Sequence, residues 1–111
     1  MAHDFNAQKT DTTAALAQIA DQNDLPDMAD LDFFFVPTEK TAHWPALAGA
    51  LTKQGFICEF IENDEDNQPY LVATVEDQPV TATGIWISED VATRTALEHG
   101  FAPDGWGFSA D

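Results

Sequence analysis

Few residues in this sequence have the types and spacing that catalysis or metal binding requires. The three histidines, His3, His43 and His99, stand far apart, and none has a second histidine or cysteine at metal-ligand spacing. The single cysteine, Cys58, lies in the apolar segment 56–62, which is typical of a buried side chain rather than of a nucleophile. We therefore expect no metal, no cofactor and no catalytic residue, and these absences favour a binding protein over an enzyme.

The acidic stretch ENDEDN, residues 62–67, carries enough carboxylates to raise the question of a calcium loop. It lacks the turn glycine and the distant bidentate glutamate of an EF-hand, and the segments on both sides have the pattern of strands. The solvated tip of a β-hairpin explains it better. The glycines stand in separate turns without a lysine behind them, so no phosphate-binding loop is predicted.

The chain is strongly acidic. Twenty Asp and Glu residues face four Lys and Arg residues, which gives a formal net charge of −16. Nucleic acids and anionic membranes are bound through cationic surfaces, so direct binding to either is not expected. A basic protein partner and mimicry of a nucleic acid both stay open, as does acidity that serves only solubility or a saline habitat.

Length and composition predict one domain. We expect a flexible tail over residues 1–9 and a single domain over residues 10–111, because 111 residues with 44% hydrophobic content can bury one core. No apolar run approaches the ~20 residues that cross a bilayer. One cysteine and no signal-like apolar run after Met1 predict a reducing, cytoplasmic location.

The first half of the chain shows a weak helix and a strong strand. Apolar periodicity predicts a helix over residues 10–23, with Thr10 or Asp11 as N-cap. The segment LDFFFV, residues 31–36, predicts a strand that carries bulky side chains on both faces, so both faces are expected to be covered.

The best helical pattern follows this strand. Pro45 must lie in its first turn, Thr38 and Thr41 are the candidate N-caps, and Gly55 stands where a left-handed residue ends a helix. Residues at i, i+3, i+4 and i+7 form its apolar face, namely Trp44, Leu47, Ala48 and Leu51.

The second half predicts a hairpin and a last helix. Segments 56–62 and 70–76 read as strands joined by the acidic turn, and VTATGIWI, residues 80–87, is expected to be extended. Ser88 then caps the last helix, with Glu89 and Asp90 in its first turn, and the helix ends at Gly100.

This order predicts an α+β fold, a ferredoxin-like βαββαβ two-layer sandwich with an extra N-terminal helix. Both core helices would lie on one face of an antiparallel sheet. The other face, which includes Asp32, Phe34 and Val36, would stay open unless the N-terminal helix or a partner covers it.

The closing segment APDGWGFSAD, residues 102–111, poses a separate question. Pro103, Asp104 and Gly105 have strong turn chemistry, and Trp106 and Phe108 would fall on the same side of a short strand. A last core strand is the favoured interpretation, and an exposed aromatic hook for a partner is the alternative.

The same residues carry a family resemblance. DGWG, residues 104–107, follows a helix near the C-terminus, LPDMADLDFFFVP leads from an acidic connector into a strand, and QGFICEF opens the next strand after a helix. This arrangement resembles the regulator of ribonuclease activity B (RraB) family over most of the chain. The resemblance implies a small, acidic, non-enzymatic cytoplasmic protein that binds ribonuclease E and inhibits its cleavage of some transcripts.

This sequence differs from the best-known branch of the family at its C-terminus, and its expected partner-binding residues can be named. The best-known branch has a long acidic C-terminal tail, whereas this sequence ends at Asp111. The partner-binding residues that we expect are Asp104, Gly105, Trp106, Gly107, Asp24, Asp27, Asp30, Glu62, Asp64, Glu65 and Asp66.

Two functions from other classes stay open. A ferredoxin-like fold can also bind a small molecule, and the open sheet face around Phe34 can form a homodimer. The residues available for a polar pocket are few, namely Tyr70, Arg94 and the three histidines, which counts against the first of these.

Overall fold

The computed structural model describes residues 3–38, 43–61 and 69–109. In these residues the element order is α1 (Phe5–Gln22), β1 (Met28–Pro37), α2 (Trp44–Thr52), β2 (Ile57–Ile61), β3 (Tyr70–Pro79), α3 (Ala82–Glu98) and β4 (Phe101–Ser109). The predicted helices and strands are present, but two helices begin earlier than expected, and the segment 80–87, expected to be extended, is mostly helical. Within the described ranges, no helix is long and apolar enough to span a bilayer.

The strands form one antiparallel sheet in the order β2-β3-β1-β4. The central strand β1 buries one face completely, since Leu31, Phe33 and Phe35 are each at most 1% exposed. These side chains share the hydrophobic core with residues of all three helices, including Leu47 of α2 and Ile85 of α3. The fold is therefore α+β, as predicted, with its core between one sheet face and the helices.

The prediction for the start of α1 was wrong. The helix begins at Phe5, and the Asp4 carboxylate caps it by accepting a hydrogen bond from the Ala7 backbone N–H at 3.0 Å. Residues 5–9, expected in a flexible tail, are therefore helical. Only Thr12 and Leu16 of α1 are buried, and the helix packs against α3. Since few apolar residues are needed there, the first turns are polar and show no apolar periodicity.

The prediction for the start of α3 was also wrong. The helix begins at Ala82, where the Thr81 hydroxyl accepts a hydrogen bond from the Gly84 backbone N–H at 2.9 Å. Residues 80–87 therefore are mostly helical instead of extended. Ser88 and Glu89 lie buried inside the helix, not at its N-cap and first turn. The β-branched residues of this segment favour strands locally, and packing of the helix on the sheet overrides that preference.

The structure confirms the interior and the end of α2. Pro45 lies in the first turn, and Leu47 and Leu51 are fully buried. Gly55 has a φ of +96°, and the Phe56 backbone N–H donates to the Leu51 carbonyl at 3.1 Å, which closes the helix in a Schellman motif.

The predicted threonine cap of α2 was wrong. His43 occupies the N-cap position, and its side chain makes no capping hydrogen bond. The Thr38 hydroxyl instead donates to the Gly100 carbonyl at 2.8 Å, which ties the end of β1 to the start of β4. Thr41, the other candidate, lies outside the described residues.

Pro103, Asp104 and Gly105 form a β-bulge within β4 and not the tight turn that was expected. Phe34 lies opposite Gly105 while Phe35 lies opposite Pro103, so Asp104 is the extra residue. Gly105 adopts a φ of +133°, a conformation that favours glycine. The chain therefore continues as one paired strand through the bulge.

The outer face of the sheet is not part of the core. Asp32, Phe34 and Val36 are half-buried there, and the rings of Phe34 and Tyr70 meet edge to face at 5.9 Å. Ile57 is 57% exposed on the same face. Because α1 packs against α3, it does not cover this surface.

Gly84 is packed too closely for a side chain, and this generates a stability prediction. A Cβ at this position would lie 2.8 Å from the Pro79 carbonyl oxygen and 3.0 Å from the Thr81 hydroxyl. We expect Gly84→Ala to lower the free energy of unfolding by ~1–3 kcal/mol through overpacking. Gly49→Ala in α2 is the matched control, because a Cβ there meets no atom within 4 Å.

The control should raise the free energy of unfolding by ~0.5–1 kcal/mol, since alanine favours the helix more than glycine does. Urea unfolding of both variants measures the two changes. The same change in both variants would contradict the tight packing at Gly84.

Candidate functional site

An open groove lies between α1, the middle of α3 and the bulged part of β4. Its volume is about 530 Å³, which falls in the range of ~300–1,000 Å³ found for ligand sites. The lining residues come from the α1 region (His3, Asp4, Ala7, Gln8, Asp11, Thr12 and Ala15), from α3 (Glu89) and from β4 (Pro103, Gly105 and Trp106). We call this site the Trp106 groove.

Glu89 is the most deeply buried charged residue of the groove, with 5% of its surface exposed. The Thr12 hydroxyl donates to its Oε1 at 2.5 Å, and the Gln8 amide donates to its Oε2 at 3.0 Å. The same amide reaches the Thr93 hydroxyl at 2.9 Å. A buried carboxylate requires such donors, so this network fastens α1 to α3.

The electrostatic environment of Glu89 disfavours its charge. Burial raises the pKa of the Glu89 carboxyl, while the hydrogen bonds from Thr12 and Gln8 and the nearby His3 side chain lower this pKa by less. Among the described residues no lysine, arginine or histidine lies within ion-pair distance of this carboxylate. Glu89 is therefore a buried acid whose charge has hydrogen-bond donors and a more distant positive neighbour, His3, but no ion-pair partner among the described residues.

Further contacts hold the α1 side of the groove in place. The Arg94 guanidinium of α3 lies 4.2 Å above the Phe5 ring of α1 and pairs with Asp90 at 2.9 Å. The His3 ring meets the Phe5 ring edge-on at 4.7 Å, and its Nε2 hydrogen-bonds the Gln8 side chain at 2.6 Å. The wall of the groove thus depends on polar and cation–π contacts between two helices.

The position of Trp106 lies between the two alternatives that the sequence left open. It lies in β4 opposite Phe33, packs against the core and stacks on Phe108 with ring centroids 6.3 Å apart. Its side chain is only half-buried, however, and it lines the groove together with Gly105. Trp106 is therefore a strand residue with a face available to a ligand.

The other expected contact residues that the structure describes do not line the groove. Asp104 is exposed in the bulge, and Gly107 lies opposite Asp32 in the β1–β4 ladder. Asp24 and Asp27 are exposed in the connector after α1 and do not line the groove.

Asp30 has a structural contact instead. Its carboxylate accepts a hydrogen bond at 3.1 Å from the backbone N–H of Asp77, a residue held at a φ of +53°. The remaining predicted contacts lie outside the described residues, namely Glu62, Asp64, Glu65 and Asp66.

The side chains with reactive chemistry are dispersed in the structure. No group of three or more His, Cys, Asp or Glu residues in the described ranges is placed to hold a metal ion. Cys58 is half-buried in β2, and burial raises the pKa of its thiol, which disfavours the nucleophilic thiolate. The Trp106 groove is the site that the geometry favours, because it joins a cavity of about 530 Å³ to a buried carboxylate and a half-buried tryptophan.

Comparison with known proteins identifies the family. The profile of the family described as Regulator of ribonuclease activity B matches residues 9–108. The chain belongs to this family. The resemblance seen in the sequence is thereby confirmed, and no curated protein matches the chain.

The family match includes most of the Trp106 groove. Thr12, Glu89 and Trp106 lie within the matched residues, whereas His3 and Gln8 precede them. The groove of this RraB family member is therefore built mainly from the shared domain, and the first turn of α1 completes it.

Of the eleven described lining residues only Gly105 and Trp106 were among the predicted site residues. The other nine were missed by the sequence reasoning, and they include His3, Gln8, Thr12 and Glu89. Glu89 was placed in an exposed first turn because the start of α3 was set too late. One signal was available, since Ile85, Ala92 and Ala96 repeat with helical spacing across Ser88. The contacts of Gln8 and Thr12 had no signal, because their partner lies about 80 positions away in the sequence.

The half-buried position of Trp106 generates a second prediction. We expect Trp106→Ala to lower the free energy of unfolding by ~2 kcal/mol and to leave the chain folded, because part of the ring is already in solvent. Phe101→Ala removes a ring that is 1% exposed and should cost more, ~3–5 kcal/mol. Urea unfolding followed by circular dichroism measures both. Complete loss of structure in Trp106→Ala would show that the ring is a core anchor only.

The buried acid generates a third prediction. Because the folded-state pKa of Glu89 is raised, its stabilising contribution is complete below the unfolded value of ~4.3 and is lost as the pH rises through the folded pKa. Glu89→Gln removes this titration. The stability of the variant relative to the parent should therefore increase from pH ~4 to pH ~7.

Urea unfolding at several pH values measures this trend. Glu98→Gln makes the same chemical change at an exposed position of α3 and controls for the loss of one negative charge from the whole protein. A parallel trend in the two variants would show that net charge, and not burial of Glu89, is responsible.

Proposed function

We propose that this chain is a non-enzymatic regulator that binds ribonuclease E by protein–protein contact in the cytoplasm and inhibits its cleavage of RNA. The family to which the chain belongs is described as a regulator of ribonuclease activity, which supports the class of function. The observation that carries the proposal is the Trp106 groove, an acidic cleft with a half-exposed tryptophan at one side.

The charge of the chain supports a basic protein surface as the target. A net charge of −16 attracts a basic partner over a distance of about a Debye length, ~8–10 Å at physiological salt. Long-range attraction raises the association rate but selects poorly among basic surfaces. The groove supplies the short-range contact that a specific complex needs, because aromatic side chains in concave sites often dominate binding energy.

We infer that the sheet has the ferredoxin-like arrangement. After α1 the order along the chain is β-α-β-β-α-β. In the sheet order β2-β3-β1-β4, strands β1 and β3 are central and strands β2 and β4 are the edges. This arrangement puts β4 at an edge of the sheet and so makes room for the groove beside it. The fold itself does not select a function.

The groove also supports a second candidate function, the binding of a small molecule. Its volume of about 530 Å³ is sufficient for a metabolite. Tyr70, which the sequence offered for a polar pocket, is half-buried on the outer face of the sheet and does not line the groove. Ligand-induced stabilisation in a thermal-shift screen of metabolites would favour this alternative.

Binding to purified ribonuclease E tests the regulator proposal. We expect a complex whose dissociation constant rises at least about tenfold between ~50 and ~200 mM salt, because the attraction is largely electrostatic. The complex should slow cleavage of a test RNA. Trp106→Ala should weaken binding about tenfold or more.

Trp44→Ala is the matched control. Trp44 is 38% exposed, stacks on Phe60 at 4.9 Å and does not line the groove, so its loss should change binding less than about twofold. If the folded protein neither binds ribonuclease E nor slows cleavage of the test RNA at low salt, the proposal is wrong.

A further inference from the structure

The lining of the Trp106 groove selects for a cation. It contains three carboxylates, those of Asp4, Asp11 and Glu89, whereas His3 is the one group of the described lining that can carry a positive charge. Asp4 is occupied in part by capping α1, whereas Asp11 is exposed at the rim. A negatively charged cleft with partly apolar walls concentrates cations at its mouth.

Glu89 marks the position of that cation. Each of its carboxylate oxygens accepts one hydrogen bond from the protein, and a carboxylate has about four acceptor sites. Its charge is buried, the positive group that acts on it is the more distant His3, and the described residues include no ion-pair partner for it. A buried charge is normally paired, so a cation brought by a ligand would supply the missing partner.

The other wall of the groove favours a guanidinium over a compact ammonium. Trp106 offers the aromatic surface on which a planar guanidinium stacks, and Pro103 and Ala15 offer apolar surface to its aliphatic stem. The protein already contains this arrangement nearby, where the Arg94 guanidinium lies over the Phe5 ring and pairs with Asp90.

We propose that the Trp106 groove receives one arginine side chain of the protein partner, with its guanidinium against Trp106 and paired with Glu89. The identity of that partner rests on the proposed function, whereas the recognition of the guanidinium rests on the groove alone. A groove of about 530 Å³ has room for one arginine side chain. Arginine recognition therefore gives the acidic surface a specific point of contact.

The test uses the full chain and a short probe without ribonuclease. The probe is acetyl-Gly-Arg-Gly-amide, and the matched peptide replaces arginine by citrulline, which has nearly the same shape and no charge. Both are titrated into isotopically labelled protein at ~150 mM salt, where distant surface attraction is screened. We expect saturable NMR shifts of the Trp106 indole N–H and of the Gln8 and Thr12 amides with the arginine peptide, and at least tenfold weaker binding of the citrulline peptide.

Matched variants separate the groove from general attraction. Glu89→Gln should weaken binding of the arginine peptide about tenfold, the effect of one charge-assisted pair of ~1.4 kcal/mol. Asp11→Asn removes a charge at the rim of the groove, and Asp21→Asn removes one from an exposed position of the same helix outside the groove. Asp11→Asn should weaken binding more than Asp21→Asn, and this pair decides the question even if Glu89→Gln does not fold.

Equal effects of Asp11→Asn and Asp21→Asn, equal binding of the two peptides, or shifts spread over the whole surface would each overturn the inference. Failure of the inference can be distinguished from failure of the proposed function. Peptide binding without ribonuclease E binding would support the arginine site and show that ribonuclease E is not the partner. Ribonuclease E binding without peptide binding would support the proposed partner and overturn the arginine site.

Discussion

The burial of the Glu89 carboxylate is the constraint on which the candidate site depends. A charged group in the interior requires hydrogen-bond donors, and the donors come from Thr12 and Gln8 of α1. The interface of α1 with α3 is therefore polar for much of its length, with Leu16 as its buried apolar residue. This network, together with the Arg94–Phe5 contact, holds α1 against α3, and α1 forms one wall of the groove.

The bulge in β4 supplies the second wall. One extra residue at Asp104 shifts the register of β4 on β1 and lets Gly105 take a conformation with positive φ. The strand then continues, so that Trp106 keeps its place opposite Phe33 while part of its ring stays exposed. Since β4 is an edge strand, the bulge and Pro103 also discourage pairing with another strand at this edge. The same local irregularity thus protects the edge and shapes the groove.

Charge acts in this protein at two ranges. The net charge of −16 is a property of the whole surface, and salt screens its effect over about a Debye length. The carboxylate of Glu89 acts only inside the groove, where a lower local dielectric strengthens each interaction. The acidic residues Asp24 and Asp27 belong to the first kind, because they are exposed and do not line the groove. Asp30 also adds to the net charge, and its carboxylate in addition supports the irregular backbone at Asp77.

The sequence by itself determined the α+β class, the approximate position of every strand, the apolar face of α2 and the left-handed end at Gly55, because these depend on periodicity and on the conformational preferences of neighbouring residues. It also determined the membership of the family, through short motifs and their order. It misplaced the starts of α1 and α3, because the polar first turn after Asp4 and the β-branched segment after Thr81 become helical through packing. Only the tertiary structure decided that Glu89 is buried, that Gln8 and Thr12 bind it, and that Trp106 is half-buried beside them. These facts depend on contacts between residues far apart in the chain, and a linear pattern carries no record of such contacts.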